Sequence, residues 1–214
     1  MKENEIVIAH HLLQINAIKL NPAKPFIWAS GWKSPIYCDN RKTLSYPETR
    51  NLIRDFFVKI VREKYPDIDG IAGVATGAIA HGALVADALS LPFIYIRSSA
   101  KSHGLENLIE GYYQPGQKYV VVEDLISTGG SSLKAVECLR NAGCIVPGMI
   151  AIFTYGFSQS VDNFLNAKCN LDTLTNYEVL IEDALKTGYI SEKEIDTLKA
   201  WRQAPDKWNA GVGS

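Results

Sequence analysis

Hydrophobic and polar positions follow two different rhythms along the chain. Near the start, Ile6, Val7, Ala9, Leu13, Ala17 and Ile18 recur at helical spacing and predict an amphipathic helix that the Asn/Pro-rich residues 21–25 end. Residues 26–38 read as two short extended pieces around the turn signal Ser30-Gly31, a hairpin. Residues 47–65 read as a second helix, with Pro47 in a tolerated first-turn position. From Ile68 onward, short apolar runs alternate with helical stretches. Residues 68–74, 92–96, 118–122, 144–153 and 170–174 are extended; residues 78–89, 131–141, 158–167, 178–185 and 191–202 are helical. Gly143 stands where a helix ends, and Ser191 with Glu194 forms a capping-box signature.

Apolar runs alternating with helices imply β-α units. The predicted fold class is α/β, a mostly parallel central sheet flanked by helices, with a small N-terminal hood over one end. At about 150 residues per domain, 214 residues form a single domain. Its core spans about residues 47–155, and residues 1–45 plus the C-terminal helices make the hood. The interval between Ile96 and Lys118 shows little periodicity, and a loop of that length inside a compact domain is usually functional or mobile. Residues 211–214 read as a frayed tail.

Composition narrows the function without naming it. Hydrophobic residues at 47% and charged residues at 21% are ordinary for a soluble globular protein. Twenty-two basic against 23 acidic residues leave a net charge of −1, which argues against a protein that coats nucleic acid. No apolar run approaches the roughly 18 residues of a membrane span, and Glu3 and Glu5 with no small-residue cleavage site predict no secretory signal. Cys38, Cys138, Cys144 and Cys169 contain no C-x-x-C pair, so a reduced, cytoplasmic setting is expected. His10 and His11 read as a surface pair, His81 as packing, and Trp201 and Trp208 as packing anchors. Asp39, Arg41 and Lys42 fit either a dimer contact or solvated charge. With no His/Cys cluster, no structural zinc is expected.

The chemistry concentrates after the best strand. Residues 118–122 run into Glu123, Asp124, Leu125, Ile126, Ser127, Thr128, Gly129, Gly130, Ser131 and Ser132. Two carboxylates thus stand at the carboxyl end of a buried parallel strand, the edge where open α/β sheets bind ligands. Glycines and hydroxyls then lead into a helix start, whose unpaired N–H groups and dipole favour an anion. A carboxylate pair suits ribose hydroxyls or a divalent cation. A 5-phosphorylated ribose satisfies both halves; the plainer reading is a helix capped by Ser131 beside a solvated acidic turn. Neither a Walker A loop nor G-x-G-x-x-G occurs, and Lys134 lies too far into the helix for the former. A second loop, Arg97-Ser98-Ser99-Ala100-Lys101-Ser102-His103-Gly104, collects three potential cations that would suit a departing diphosphate. As a lid it would also exclude water.

V-V-E-D-L-I-S-T-G-G-S-S resembles the phosphoribosyl-diphosphate motif of the type I phosphoribosyltransferases. The loop R-S-x-A-K-x-H-G, the hairpin core S-G-x-x-S-P-x-Y and the turn Gly73-Val74-Ala75-Thr76-Gly77 resemble the orotate phosphoribosyltransferases of that family. The resemblance covers most of residues 26–153. It implies transfer of phosphoribose from phosphoribosyl diphosphate to orotate, giving orotidine 5′-phosphate and diphosphate, by a homodimer with no nucleic-acid or membrane partner. It implies that Glu123 and Asp124 meet the ribose hydroxyls. Ser127, Thr128, Gly129, Gly130 and Ser131 then hold the 5-phosphate, and Leu125, Ile126, Thr76, Gly77, Arg97, Lys101 and His103 complete the phosphoribosyl-diphosphate site. Lys101, His103 and Asp124 are the catalytic candidates, and Ser127, Tyr37, Lys33 and Ala29 the orotate candidates. Mg2+ accompanies the diphosphate, held mainly by the substrate near Asp124. The best-known bacterial members carry basic residues where Ala29, Gly77 and Ser98 stand, and an Arg near Tyr155. The rival readings are a purine or other base phosphoribosyltransferase and a nucleotide-sensing regulator on the same fold.

Overall fold

The computed structural model describes residues 2–28, 31–98 and 108–208. Helix α1 (Lys2–Gln14) opens the chain. It stops short of Ala17 and Ile18, contrary to the sequence expectation, because Asn16 adopts a left-handed φ of 53°, which Asn tolerates better than other side chains. Ile18 instead begins strand β1 (Ile18–Leu20). The hairpin forms as expected from β2 (Phe26–Ile27) and β3 (Lys33–Ser34). Residues 26–38 hold a third extended piece, however, β4 (Ile36–Cys38), which pairs antiparallel with β1 rather than with the hairpin. A 3-10 turn (Asn40–Ser45) leads into α2 (Pro47–Lys64), with Pro47 in its first turn.

The alternating section follows: β5 (Gly70–Val74), α3 (Ile79–Leu89), β6 (Phe93–Ile96), β7 (Ile109–Glu110), β8 (Tyr119–Ile126), α4 (Gly130–Asn141), β9 (Gly148–Thr154), α5 (Ser158–Asn166), β10 (Asn170–Asn176), α6 (Tyr177–Lys186) and α7 (Glu192–Gln203). Six of these strands form one sheet in the order β10-β9-β8-β5-β6-β7. All neighbours are parallel except β6 and β7. Every residue of β5 and β9 is buried, as expected for strands covered on both faces. One apolar cluster fills the face toward α1, α2, α3 and α6, and a second fills the face toward α4 and α5.

Several boundaries differ from the sequence reading. The aperiodic interval contains β7, whose Ile109 pairs with Ile96, so the loop leaves and rejoins the sheet edge at adjacent strands. Strand β9 begins at Gly148 rather than Cys144, because the Cys144 N–H is used by the Leu139 carbonyl to close α4. Gly143, at φ 83°, makes that closure possible. Strand β8 runs four residues further than the apolar run, through Glu123 and Asp124 to Ile126.

His10 and His11 are not a free surface pair. His10 Nδ1 lies 3.2 Å from Asp183 Oδ2, and His11 Nδ1 lies 3.1 Å from Thr49 Oγ1. His81 is packing, as expected, and is buried in α3. The Asp39–Arg41 ion pair closes locally at 2.6 Å, and Lys42 Nζ donates to the Asn16 carbonyl at 3.0 Å, so this charged stretch braces the hood internally. The hood is joined to the sheet through rings. Trp28, which donates from Nε1 to the Ile36 carbonyl, packs 5.2 Å from Tyr155 and 5.6 Å from the fully buried Trp201. The Ser191 N–H donates to Glu194 Oε2 at 2.8 Å, as the capping signature predicts. No helix among the described residues is long and apolar enough to cross a membrane.

Candidate functional site

The carboxyl ends of β5, β6 and β8 converge on a cleft of about 520 Å3. It is lined by Thr76 and Gly77 after β5, Arg97 and Ser98 after β6, and Glu123, Asp124, Leu125, Ser127, Thr128, Gly129 and Ser131 along and after β8. The structure therefore brings together most of the residues that the two sequence motifs single out. Ile126 is fully buried and Gly130 lies outside the lining. Ala29, Lys101 and His103 fall outside the described residues. Lys33 and Tyr37 are exposed on the hood and do not line the cleft. Tyr155, near which the resemblance places a basic residue, is only 2% exposed and is enclosed by Trp28, Phe153, Phe157 and Trp201. A larger cavity of about 790 Å3 lies elsewhere, between α6 and α7. It holds none of the motif residues, and Arg202 at its wall is already engaged by Glu178 and by the Tyr155 and Gly156 carbonyls.

Because Glu123 and Asp124 belong to a strand, their side chains depart on opposite faces. Glu123 is 6% exposed. Its Oε1 accepts from the Asp124 N–H and its Oε2 accepts from the Ser132 hydroxyl, both at 2.8 Å. Burial, then the charge of Asp124, pushes its carboxyl well above the ordinary range. Asp124 remains half-buried at the cleft wall. The two acids thus divide the work: Glu123 ties strand to helix, and Asp124 faces the space a ligand would fill.

The glycine- and hydroxyl-rich loop after β8 leads directly into α4, with Gly129 at the N-cap position. Helix α4 begins after Gly129, at φ 82°, and no side chain caps it. Its first N–H groups are therefore free of side-chain partners and face outward. This removes the plainer reading in which Ser131 caps the helix. A Cβ on Gly129 would lie 2.7 Å from Phe164, so glycine is required both for φ and for space. From α5, Asn163 Nδ2 donates to the Thr128 carbonyl at 2.9 Å and fixes the loop.

On the opposite wall, the peptide between Ala75 and Thr76 is cis, and Gly77 lies against the Asp124 carboxylate. Arg97 Nη1 is 3.3 Å from Glu110 on β7, so the first loop cation is held at the sheet edge. Among the described residues no group of three or more His, Cys, Asp or Glu side chains could enclose a metal. The cleft offers one half-exposed carboxylate and several hydroxyls, a hard oxygen set that fits a Mg2+ ion whose other ligands come from substrate and water.

One contributor escaped the sequence reading. Asn40, 1% exposed, donates from Nδ2 to the Asp124 carbonyl at 2.6 Å. Nothing in its neighbourhood of Asp39 and Arg41 marks it; only the packing of the 3-10 turn on β8 reveals it.

Residues 44–156 match the phosphoribosyl transferase domain. The orotate phosphoribosyltransferase of Phocaeicola vulgatus is 62% identical over 99% of this chain and 100% of its own length. That of Streptococcus pneumoniae is 52% identical over 95% of this chain and 97% of its own. Among solved structures, the orotate phosphoribosyltransferase from Aeropyrum pernix superposes with a TM-score of 0.75 at 26% identity, over 86% of this chain and 99% of that one.

Proposed function

The chain belongs to the phosphoribosyl transferase family and, within it, to the orotate phosphoribosyltransferases; on that premise we propose how its residues carry the reaction. The enzyme transfers the 5-phosphoribosyl group from phosphoribosyl diphosphate to orotate, giving orotidine 5′-phosphate and diphosphate, a step of pyrimidine biosynthesis. The observation that carries the assignment of roles is one cleft holding both Asp124 and the uncapped start of α4.

The 5-phosphate lies against the N–H groups after Gly129 and the hydroxyls of Ser127, Thr128 and Ser131. Leu125 contributes to the floor of the same pocket. The ribose hydroxyls donate to Asp124. Glu123, whose oxygens already hold Ser132 and the Asp124 amide, supports that contact from behind. The diphosphate extends toward Thr76, Gly77 and Arg97, the last sharing its guanidinium with Glu110. Mg2+, when bound beside Asp124 and the diphosphate, supplies charge neutralisation for the leaving group.

The ring nitrogen of orotate forms the new bond to the anomeric carbon as the bond to diphosphate breaks. Both electrons of the broken bond leave with the diphosphate. Orotate arrives as an anion, so the protein's contribution is positioning and electrostatics. Lys101 and His103 stabilise the departing diphosphate. Orotate is held between Ser127 and the hood, where Tyr37, Lys33 and Ala29 are the contacts carried by the resemblance. The chain acts as one domain, in the cytoplasm, as a homodimer, with no nucleic-acid or membrane partner.

Orotate consumption followed by ultraviolet absorbance, with phosphoribosyl diphosphate and Mg2+ present, tests this reading. Hypoxanthine, adenine and uracil are run in parallel. Only orotate is expected to disappear. A purine reacting instead overturns the base assignment, and turnover unchanged in Lys101→Ala overturns the role of the loop.

A further inference from the structure

Asp124 sits where the sheet thins out. The last pair between β5 and β8 joins Gly73 to Val122, two residues before Asp124. At Asp124 side chains serve the main chain: Glu123 Oε1 accepts its N–H, and Asn40 Nδ2 donates to its carbonyl.

Asn40 is itself fixed on every side. Its Oδ1 accepts from the Cys38 thiol at 3.3 Å, at the end of the hood strand β4. Its carbonyl accepts from the Thr43 hydroxyl. That hydroxyl has one hydrogen, so it must receive its second bond from His81, whose Nε2 stands 3.0 Å away on α3. The side-chain amide and the main-chain carbonyl of one buried residue together link three parts of the molecule. These are the hood strand bearing Tyr37, the helix that starts just after Gly77, and the strand bearing Asp124.

We propose that Asn40 is a positioning residue for the transfer reaction: by holding the Asp124 carbonyl it sets where the Asp124 carboxylate meets the ribose, and by its bond to Cys38 it fixes that point relative to the hood. The inference rests on the assignment of Asp124 to the ribose hydroxyls. It adds a residue that neither lines the cleft nor belongs to any of the motifs. Loss of the amide leaves Asp124 free to shift, and binding of the ribose partner weakens before binding of the base does. A purely structural strut would instead lower the melting temperature and leave the substrate constants in place.

The test uses the full chain and three variants. Asn40→Leu keeps the volume and removes the donor. Thr43→Val removes the hydroxyl behind Asn40, and Thr43→Ser keeps it. KM for phosphoribosyl diphosphate, KM for orotate, kcat and melting temperature are measured for each. Asn40→Leu is expected to raise KM for phosphoribosyl diphosphate about tenfold, with KM for orotate moving less than about threefold. Thr43→Val is expected to follow in the same direction by about threefold, and Thr43→Ser to restore the wild-type value. Should Asn40→Leu not fold, the Thr43 pair decides alone. Equal KM values for phosphoribosyl diphosphate in Thr43→Val and wild type, or in a cooperatively folded Asn40→Leu, overturn the proposal. Asp124→Asn is run alongside. If it too leaves phosphoribosyl diphosphate binding intact, the assignment of Asp124 fails; if it abolishes binding while the Asn40 and Thr43 variants change nothing, only the positioning role fails.

Discussion

Gly77 and Asp124 touch across the cleft: a Cβ added to Gly77 would fall 2.5 Å from Asp124 Cγ. The turn after β5 can therefore approach the acid on β8 only because position 77 has no side chain. The resemblance marks this position as a departure, since a basic residue stands there in the best-known relatives. In this chain the absent side chain makes room for Asp124. Gly77→Ala is expected to push the carboxylate aside and lower kcat/KM by about 10- to 100-fold, because displacements near 1 Å cost that much at a reacting centre. The melting temperature should move by only a few degrees. Steady-state kinetics and a thermal melt on the same preparation check both halves.

Glu123 makes a different kind of prediction. Its carboxyl is held above the ordinary value of 4.5, first by burial and then by the Asp124 charge. The folded state therefore keeps a proton that the unfolded chain releases, and stability falls as pH rises above about 4.5. Glu123→Gln fits the same bonds, its amide oxygen accepting the Asp124 N–H and its NH2 donating to Ser132. The variant should fold and lose this pH dependence. Urea unfolding at a series of pH values reads it, and an unchanged slope in Glu123→Gln would place the titrating group elsewhere.

His81 acts with the opposite sign. Burial, with Arg50 nearby, lowers its pKa from 6.5 to about 4. The unfolded chain then binds a proton that the folded state refuses. Stability is fully present above pH 6.5 and is lost as pH falls toward 4, by about 3 kcal/mol across the window. Between 4.5 and 6.5 the two groups oppose one another, so wild type alone shows a muted profile. His81→Gln should expose the Glu123 slope in the same titration, and the double variant should be flat over that range.

Trp201 is where the far end of the chain reaches the hood. It is fully buried and meets Trp28, Tyr155, Phe157 and Tyr177 at ring-centroid distances of 5.5 to 5.6 Å. Trp201→Ala should cost about 3–5 kcal/mol and lower the melting temperature by about 10 °C. Because Trp28 loses a neighbour, KM for orotate should rise as well. A melt that drops without any change in KM would separate the hood from base binding.

Most of the fold was legible because buried parallel strands leave near-continuous apolar runs and helices leave stripes. Sequence pattern and structure part where those signals run out. Ile18 continues a helical stripe, yet one left-handed Asn turns it into a strand. The apolar run ends four residues before strand β8 does, because Glu123 and Asp124 do not look like strand interior. They are so here because one acid is bonded internally and the other faces a cleft. The cradle of Ser127–Ser131 was readable because its chemistry sits in one contiguous stretch. The Asn40 contact was not, because it spans 84 residues of sequence and uses a side chain with no special spacing. Tyr155 shows the same limit: the resemblance places a basic residue near it, but its ring is buried among other aromatics.

The most direct test of the account is calorimetric binding of phosphoribosyl diphosphate with Mg2+ to wild type and Asp124→Asn, each shown by a melt to be folded. With Asp124 as the ribose contact, affinity should weaken by about tenfold or more in the variant, the loss expected when a charge-assisted hydrogen bond is removed, while the melting temperature stays within a few degrees. Equal affinity in the two proteins would contradict the placement of the ribose in the cleft between Gly77 and the start of α4.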